Sequence, residues 1–178
     1  SLQGPASELI WALPRPRIRR VERSVHRGGG TESVTAAARR RDREWETVQV
    51  ARKIFVNLPV RDLDASVAFF TQLAFSFNPQ FTDETATCMI VSEDIFVMLL
   101  TEEKFKLFTP KKICDATQST EVLVCLSRES REKVDEMVGN AVAAGGTTYN
   151  EPQDHGFMYG HGFQDLDGHI WELIHMDP

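Results

Sequence analysis

The sequence predicts an α+β fold: two βαβββ modules that form a curled mixed sheet around a central cup, preceded by a mostly irregular N-terminal extension. Three observations predict it. The order strand–helix–strand–strand–strand is readable from about residue 53 to 101. The same order returns over about 121–178, offset by about 68 residues so that Phe55 falls over Leu123. Residues 1–51 carry no comparable periodicity, and their Pro14, Pro16 and Gly28-Gly29-Gly30 interrupt any regular element.

In the first module, Lys53–Val60 is a continuous β-prone run, the pattern of a strand buried on both faces. Asp62 is placed to cap a helix, and Leu63, Val67, Phe70 and Ala74 recur at helical spacing, which predicts a helix over 63–74. Strands are expected at 75–82, 87–92 and 95–101, separated by the polar turns Asp83-Glu84 and Glu93-Asp94. A linker over 102–119 holds Phe105, Leu107 and Phe108, spaced for a short helical turn. The second module opens with an apolar strand at 121–127. Ser130 then caps a helix whose apolar stripe is Val134, Met137, Val138, Ala141 and Val142, closed by Gly145-Gly146. Strands are expected at 147–151, 157–164 and 169–175, with Asp165-Leu-Asp-Gly168 as the last turn.

Charge divides the chain in the same place. Residues 1–47 hold 10 Arg against 6 acids, a net +4, whereas residues 48–178 hold 10 Lys plus Arg against 20 Asp plus Glu, a net −10. An acidic body lacks the basic face of a nucleic-acid binder. No run approaches the roughly 20 apolar residues of a membrane span. Three widely spaced cysteines, with no Cys-x-x-Cys pair, suit unpaired thiols in the cytoplasm. The Arg-rich start, with scattered apolar residues and no Lys, reads either as an over-extended reading frame, the natural protein beginning near Val48 or Val50, or as an arm that folds over a neighbouring subunit.

The run Leu58-Pro-Val-Arg-Asp-Leu-Asp-Ala-Ser66, with Phe69-Phe70 and Leu73-Ala-Phe75, resembles the first strand and helix of the vicinal oxygen chelate superfamily. Phe163-Gln-Asp-Leu-Asp-Gly-His-Ile-Trp-Glu-Leu-Ile174 resembles its closing hairpin. That superfamily includes glyoxalase I, bleomycin-resistance proteins, extradiol dioxygenases and fosfomycin-resistance transferases, and the resemblance covers residues 52–178. It implies a glyoxalase-like domain, and in catalytic members a divalent metal held by His, His and Glu donors from the first and last strands of each module. Here Glu172 matches the last-strand ligand, but the first-strand position falls on Phe55, the fifth-strand position on Leu123, and Ile95–Leu100 offers no donor.

No cofactor is therefore expected. A divalent metal would need a rebuilt set, for which Glu121, Glu172 and His161 are the candidates. The cup is expected to bind a small organic ligand through Phe55, Asn57, Met98, Leu123, Cys125, Tyr159 and His161, with Glu172 as the candidate catalytic group. Two functions fit: a metal-independent binder, for which the acidic body suits a cationic ligand, or a lyase- or isomerase-type enzyme using Glu172 as base with Tyr159 or His161 stabilising an enolate. A dioxygenase-related reaction is the further enzymatic option that the resemblance carries. Exposed edge strands predict a homodimer.

Overall fold

The structure, a computed structural model, describes residues 52–177. The expectations for residues 1–51 lie outside the described residues. The strands are β1 (Ile54–Val60), β2 (Ser76–Asn78), β3 (Ala86–Ile90), β4 (Ile95–Thr101), β5 (Leu123–Ser127), β6 (Gln153–Asp154), β7 (Met158–Gln164) and β8 (Ile170–Met176). The helices are α1 (Leu63–Gln72), the single turn α2 (Glu102–Phe105) and α3 (Arg131–Ala143).

The duplication holds at the level of topology. One four-stranded sheet has the order β1-β4-β3-β2 and the other β5-β8-β7-β6, each with one parallel pair at the first strand and antiparallel pairs beyond it. One element lies elsewhere than expected. Residues 147–151 contribute only a bridge from Thr147 to Gln164, and the short strand beside β7 is Gln153–Asp154.

Asp62 caps α1 as expected, its carboxylate accepting from the Ala65 amide at 2.9 Å. The buried stripe is Leu63, Ser66, Phe69 and Phe70, rotated from the Leu63-Val67-Phe70-Ala74 line, and α1 ends at Gln72 with Ala74 in the left-handed region at φ 66°. In α3, Val134, Met137, Val138 and Ala141 are buried as the spacing predicts, and Val142 is exposed.

Both modules share one core. It joins α1 and α3 to one face of each sheet: Leu58, Val60, Met89, Val97 and Leu99 from the first, Val124, Phe163, Trp171 and Leu173 from the second. Phe70 of α1 meets Trp171 of β8 at a ring separation of 5.0 Å, and Phe69 meets Phe163 at 6.1 Å.

The turn Asp165–Gly168 fastens this seam. Buried Asp165 accepts through Oδ1 from the amides of Asp167 and His169, and through Oδ2 from Trp171 Nε1 at 3.0 Å. Burial pushes its carboxyl upward, with His169 and these donors opposing. His169 Nε2 lies 2.7 Å from the Pro59 carbonyl oxygen; a carbonyl can only accept, so Nε2 carries the proton. Arg61 Nε donates to Asp167 Oδ1 at 2.8 Å. Gly168, at φ 94°, brings its backbone so close to residues 116 and 117 that a Cβ would lie 2.9 Å from the Thr117 amide nitrogen. The turn thus joins second module, linker and first module at one point.

Candidate functional site

Each sheet has a helix-covered face and an open face, and strand alternation decides which residues the open faces carry. On the first sheet it carries Phe55, Phe96, Met98, Leu100, Ala86 and Cys88, which cluster with Phe81 and Phe105. Phe55 and Phe96 stack at 5.0 Å, and the Lys53 ammonium sits 5.1 Å from the Phe96 ring centre. Asn57 shares the parity of Phe55 and is exposed. Every member of this cluster belongs to the first module or to α2.

On the second sheet, Glu172 is flanked across β5 by Cys125 and across β7 by Gly162. Leu123 and Ile170 pair beside them, and Leu123 is 51% exposed. Glu172 makes no hydrogen bond or ion pair with any described residue. Tyr149, in the loop after α3, folds back over this face. Its hydroxyl lies 2.5 Å from where a Cβ on Gly162 would stand, so the phenol fills the space that the glycine leaves. Burial first, then Glu172 and Cys125, push the Tyr149 hydroxyl upward; burial first, then Glu172, raise the Cys125 thiol. Both groups are neutral at pH 7. Among the strand residues of β5, β7 and β8 on this face, Glu172 carries the only charge.

Tyr159 and His161 do not join Glu172. They share the parity of Phe163 and lie on the helix-covered face, where Tyr159 donates to Asp135 Oδ1 on α3 at 2.8 Å and His161 Nδ1 stands 3.7 Å from the same oxygen. The enolate-stabilising arrangement of Glu172 with Tyr159 or His161 is therefore not assembled, because a sheet separates the groups. The same geometry divides the rebuilt metal set. Glu121 is exposed before β5 begins, Glu172 is on the open face and His161 is behind the sheet. The side chains nearest Glu172 across the strands are a thiol and a glycine, and Phe55 and Leu123 offer no donor, so these residues do not fit a divalent metal centre.

A cleft of about 310 Å³ lies elsewhere, between the end of β1, the 113–117 linker and the Asp167–His169 turn. Its charged groups are largely taken: Arg61 by Asp167 and the Leu166 carbonyl, Asp115 by Thr117. It marks the seam between modules.

Tyr149 and Tyr159 are the only tyrosines of the chain, which makes their environments separable in solution. Tyr159 is pushed up to about 12 by burial and its bond to Asp135, and Tyr149 also moves upward from 10.0. Phenolate absorbance of the folded protein is expected to appear only above pH 10, whereas the denatured chain titrates near 10. A raised folded pKa means that the native state holds the proton longer, so the contribution of these groups to stability is intact below pH 10 and is lost as pH rises toward 12. An ordinary titration of either folded tyrosine would contradict its placement.

The family comparison agrees with this architecture. A bleomycin resistance protein-like N-terminal family matches residues 52–92, the first module up to the end of β3. No curated protein matches the chain. Among solved structures, a hypothetical protein from S. aureus is 28% identical, with 68% of this chain and 91% of that one covered at a TM-score of 0.60. A glyoxalase/bleomycin resistance protein/dioxygenase family enzyme from Burkholderia phytofirmans is 19% identical over 69% of this chain and 97% of that one, at a TM-score of 0.59. A genomically encoded fosfomycin resistance protein from Listeria monocytogenes is 18% identical over 70% and 92%, at 0.51. The duplicated βαβββ topology and these likenesses give the chain the glyoxalase/bleomycin resistance/dioxygenase fold, and its first module, residues 52–92, matches the bleomycin resistance protein-like N-terminal family.

Proposed function

We propose that the protein is a metal-independent binder of a small organic molecule, cytoplasmic and homodimeric. The ligand lies between the aromatic open face of the first sheet and the Glu172-bearing open face of the second, brought together by two subunits. One observation carries this reading: in the single chain the aromatic open face of the first sheet clusters with no residue of the second module, and the second sheet's open face, with Leu123, Ile170 and Ile174 around Glu172, lies outside the shared core. Edge strands β1 and β5 each have one hydrogen-bonded neighbour, β4 and β8 respectively, and Leu123, Ile54 and Phe157 are exposed. A second subunit covers such edges and apolar surface in the usual way. Three free thiols support a reducing compartment. No helix among the described residues is long and apolar enough to cross a membrane.

Sedimentation and elemental analysis test the reading together. The expected species has twice the 20.1 kDa of the chain, carries substoichiometric metal, and binds a neutral apolar dye such as Nile red equally before and after chelator treatment. A monomer at high concentration would overturn the composite cup. Stoichiometric metal, or dye binding abolished by chelation, would overturn metal independence.

A further inference from the structure

We infer that the open face of the second sheet recognises an organic monocation, a protonated amine carrying an apolar ring, with Glu172 as its counter-charge and Tyr149 as its polar flank. The inference rests on the small-molecule reading above and names the chemistry of its ligand.

The carboxylates of β8 and its turn show the contrast that carries it: Asp167 is paired with Arg61. Asp165 spends its acceptor capacity on two backbone amides and the Trp171 indole. Glu172, on the face of β8 opposite to Trp171, accepts from no described residue and meets no described cation. Its neighbours are neutral: the Cys125 thiol, bare Gly162 and the Tyr149 phenol. A half-buried carboxylate without a partner is costly unless something supplies positive charge or water.

The groups around it define what can supply that charge. An anion is opposed by the sole charge of the face. A neutral alcohol or amide leaves that charge uncompensated. An inorganic cation would find one carboxylate and no further hard donor of full charge. Leu123, Ile170 and Ile174 border the site and favour a ligand with an apolar body. The Tyr149 hydroxyl has no hydrogen-bond partner among the described residues and is free to accept from an ammonium group. The net charge of −10 over residues 48–178 attracts the same sign of ligand at long range.

Three probes of one shape test this on the full-length protein: naphthylmethylammonium, naphthylmethanol and naphthoate, measured by equilibrium dialysis at fixed ionic strength. The ammonium is expected to bind at least about tenfold more tightly than the alcohol, a difference of about 1.4 kcal/mol, and the carboxylate most weakly. In Glu172→Gln the preference should collapse while alcohol binding persists. Bound ammonium should also lower the titration midpoint of Tyr149 and leave that of Tyr159 in place. Alcohol or carboxylate binding as tight as the ammonium, or an ammonium preference surviving in Glu172→Gln, overturns the inference and leaves the binder reading standing. If no probe and no neutral dye binds the protein, both fall together. Tyr149→Phe provides a second variant: its ammonium preference should weaken, not vanish, because the counter-charge remains.

Discussion

Trp171→Ala is expected to destabilise the protein by about 3–5 kcal/mol, a large share of the 5–15 kcal/mol typical of a domain. Trp171 is fully buried, stacks parallel to Phe163, and reaches Phe70 and Phe75 of the first module at 5.0 and 6.3 Å. Its removal opens a cavity where the two modules meet and strands the Asp165 carboxylate that its indole serves. Trp171→Phe separates these two effects. It keeps most of the apolar volume and loses the hydrogen bond, so it should cost about 1–3 kcal/mol. Because α1 of one module packs on β8 of the other, both variants should still unfold in a single transition, at lower denaturant. Urea unfolding followed by circular dichroism and by near-ultraviolet absorbance checks this. Two separate transitions in the parent protein would show that the modules do not share a core.

That coupling explains why the fold was legible in the sequence. Helix caps at Asp62 and Ser130, the apolar spacing of α3 and the closing Asp165–Gly168 turn are local signals, and each appears in its expected place. The recurrence of βαβββ added the one long-range fact that local signals lack. The departures have equally local causes. Residues 147–151 look β-prone, yet only Thr147 bridges to Gln164, the Tyr149 side chain turns over Gly162, and pairing with β7 resumes at Gln153–Asp154 as β6. In α1 the buried stripe follows Ser66 and Phe69, because Ser66 satisfies its hydroxyl at the Asp62 carbonyl and its small side chain lets the helix sit close to the turn at Asp167.

The site was legible in part. Glu172 stood out as a carboxylate inside an apolar strand, and Phe55, Met98, Leu123 and Cys125 follow from parity alone. The sequence leads one to expect Tyr159 and His161 in the cup, yet the signal against that lies in β7 itself. Met-Tyr-Gly-His-Gly-Phe alternates side chains with glycine, so the face that shares parity with Phe163 is the filled one, and the face of Gly160 and Gly162 is bare. Tyr149 had no such signal. Nothing in a loop sequence says that its side chain will return over Gly162, since that depends on where α3 ends against the sheet.

Glu172→Gln is expected to leave folding nearly intact and to change the chemistry of its face. If the carboxylate served a buried cation, losing its charge would strand that partner and cost about 3–5 kcal/mol. No described cation lies against Glu172, and its nearest cross-strand neighbours are Cys125 and Gly162, so no such loss is expected. The amide preserves shape and removes a half-buried charge that no described residue pairs, and the melting temperature should stay level or rise. Two spectroscopic changes should accompany it. The titration midpoint of Tyr149 should fall, because Glu172 is one of the groups that hold it up, while burial keeps it above 10.0. The Cys125 thiol should ionise more readily for the same reason and react faster with a disulfide reagent at mildly alkaline pH. Tyr159, which answers to Asp135 on the other side of the sheet, should not move. A purely structural carboxylate would produce the opposite set: a large loss of stability, with the tyrosine and thiol changing only as far as the fold itself is lost. Melting curves and the two titrations on parent and variant decide between them.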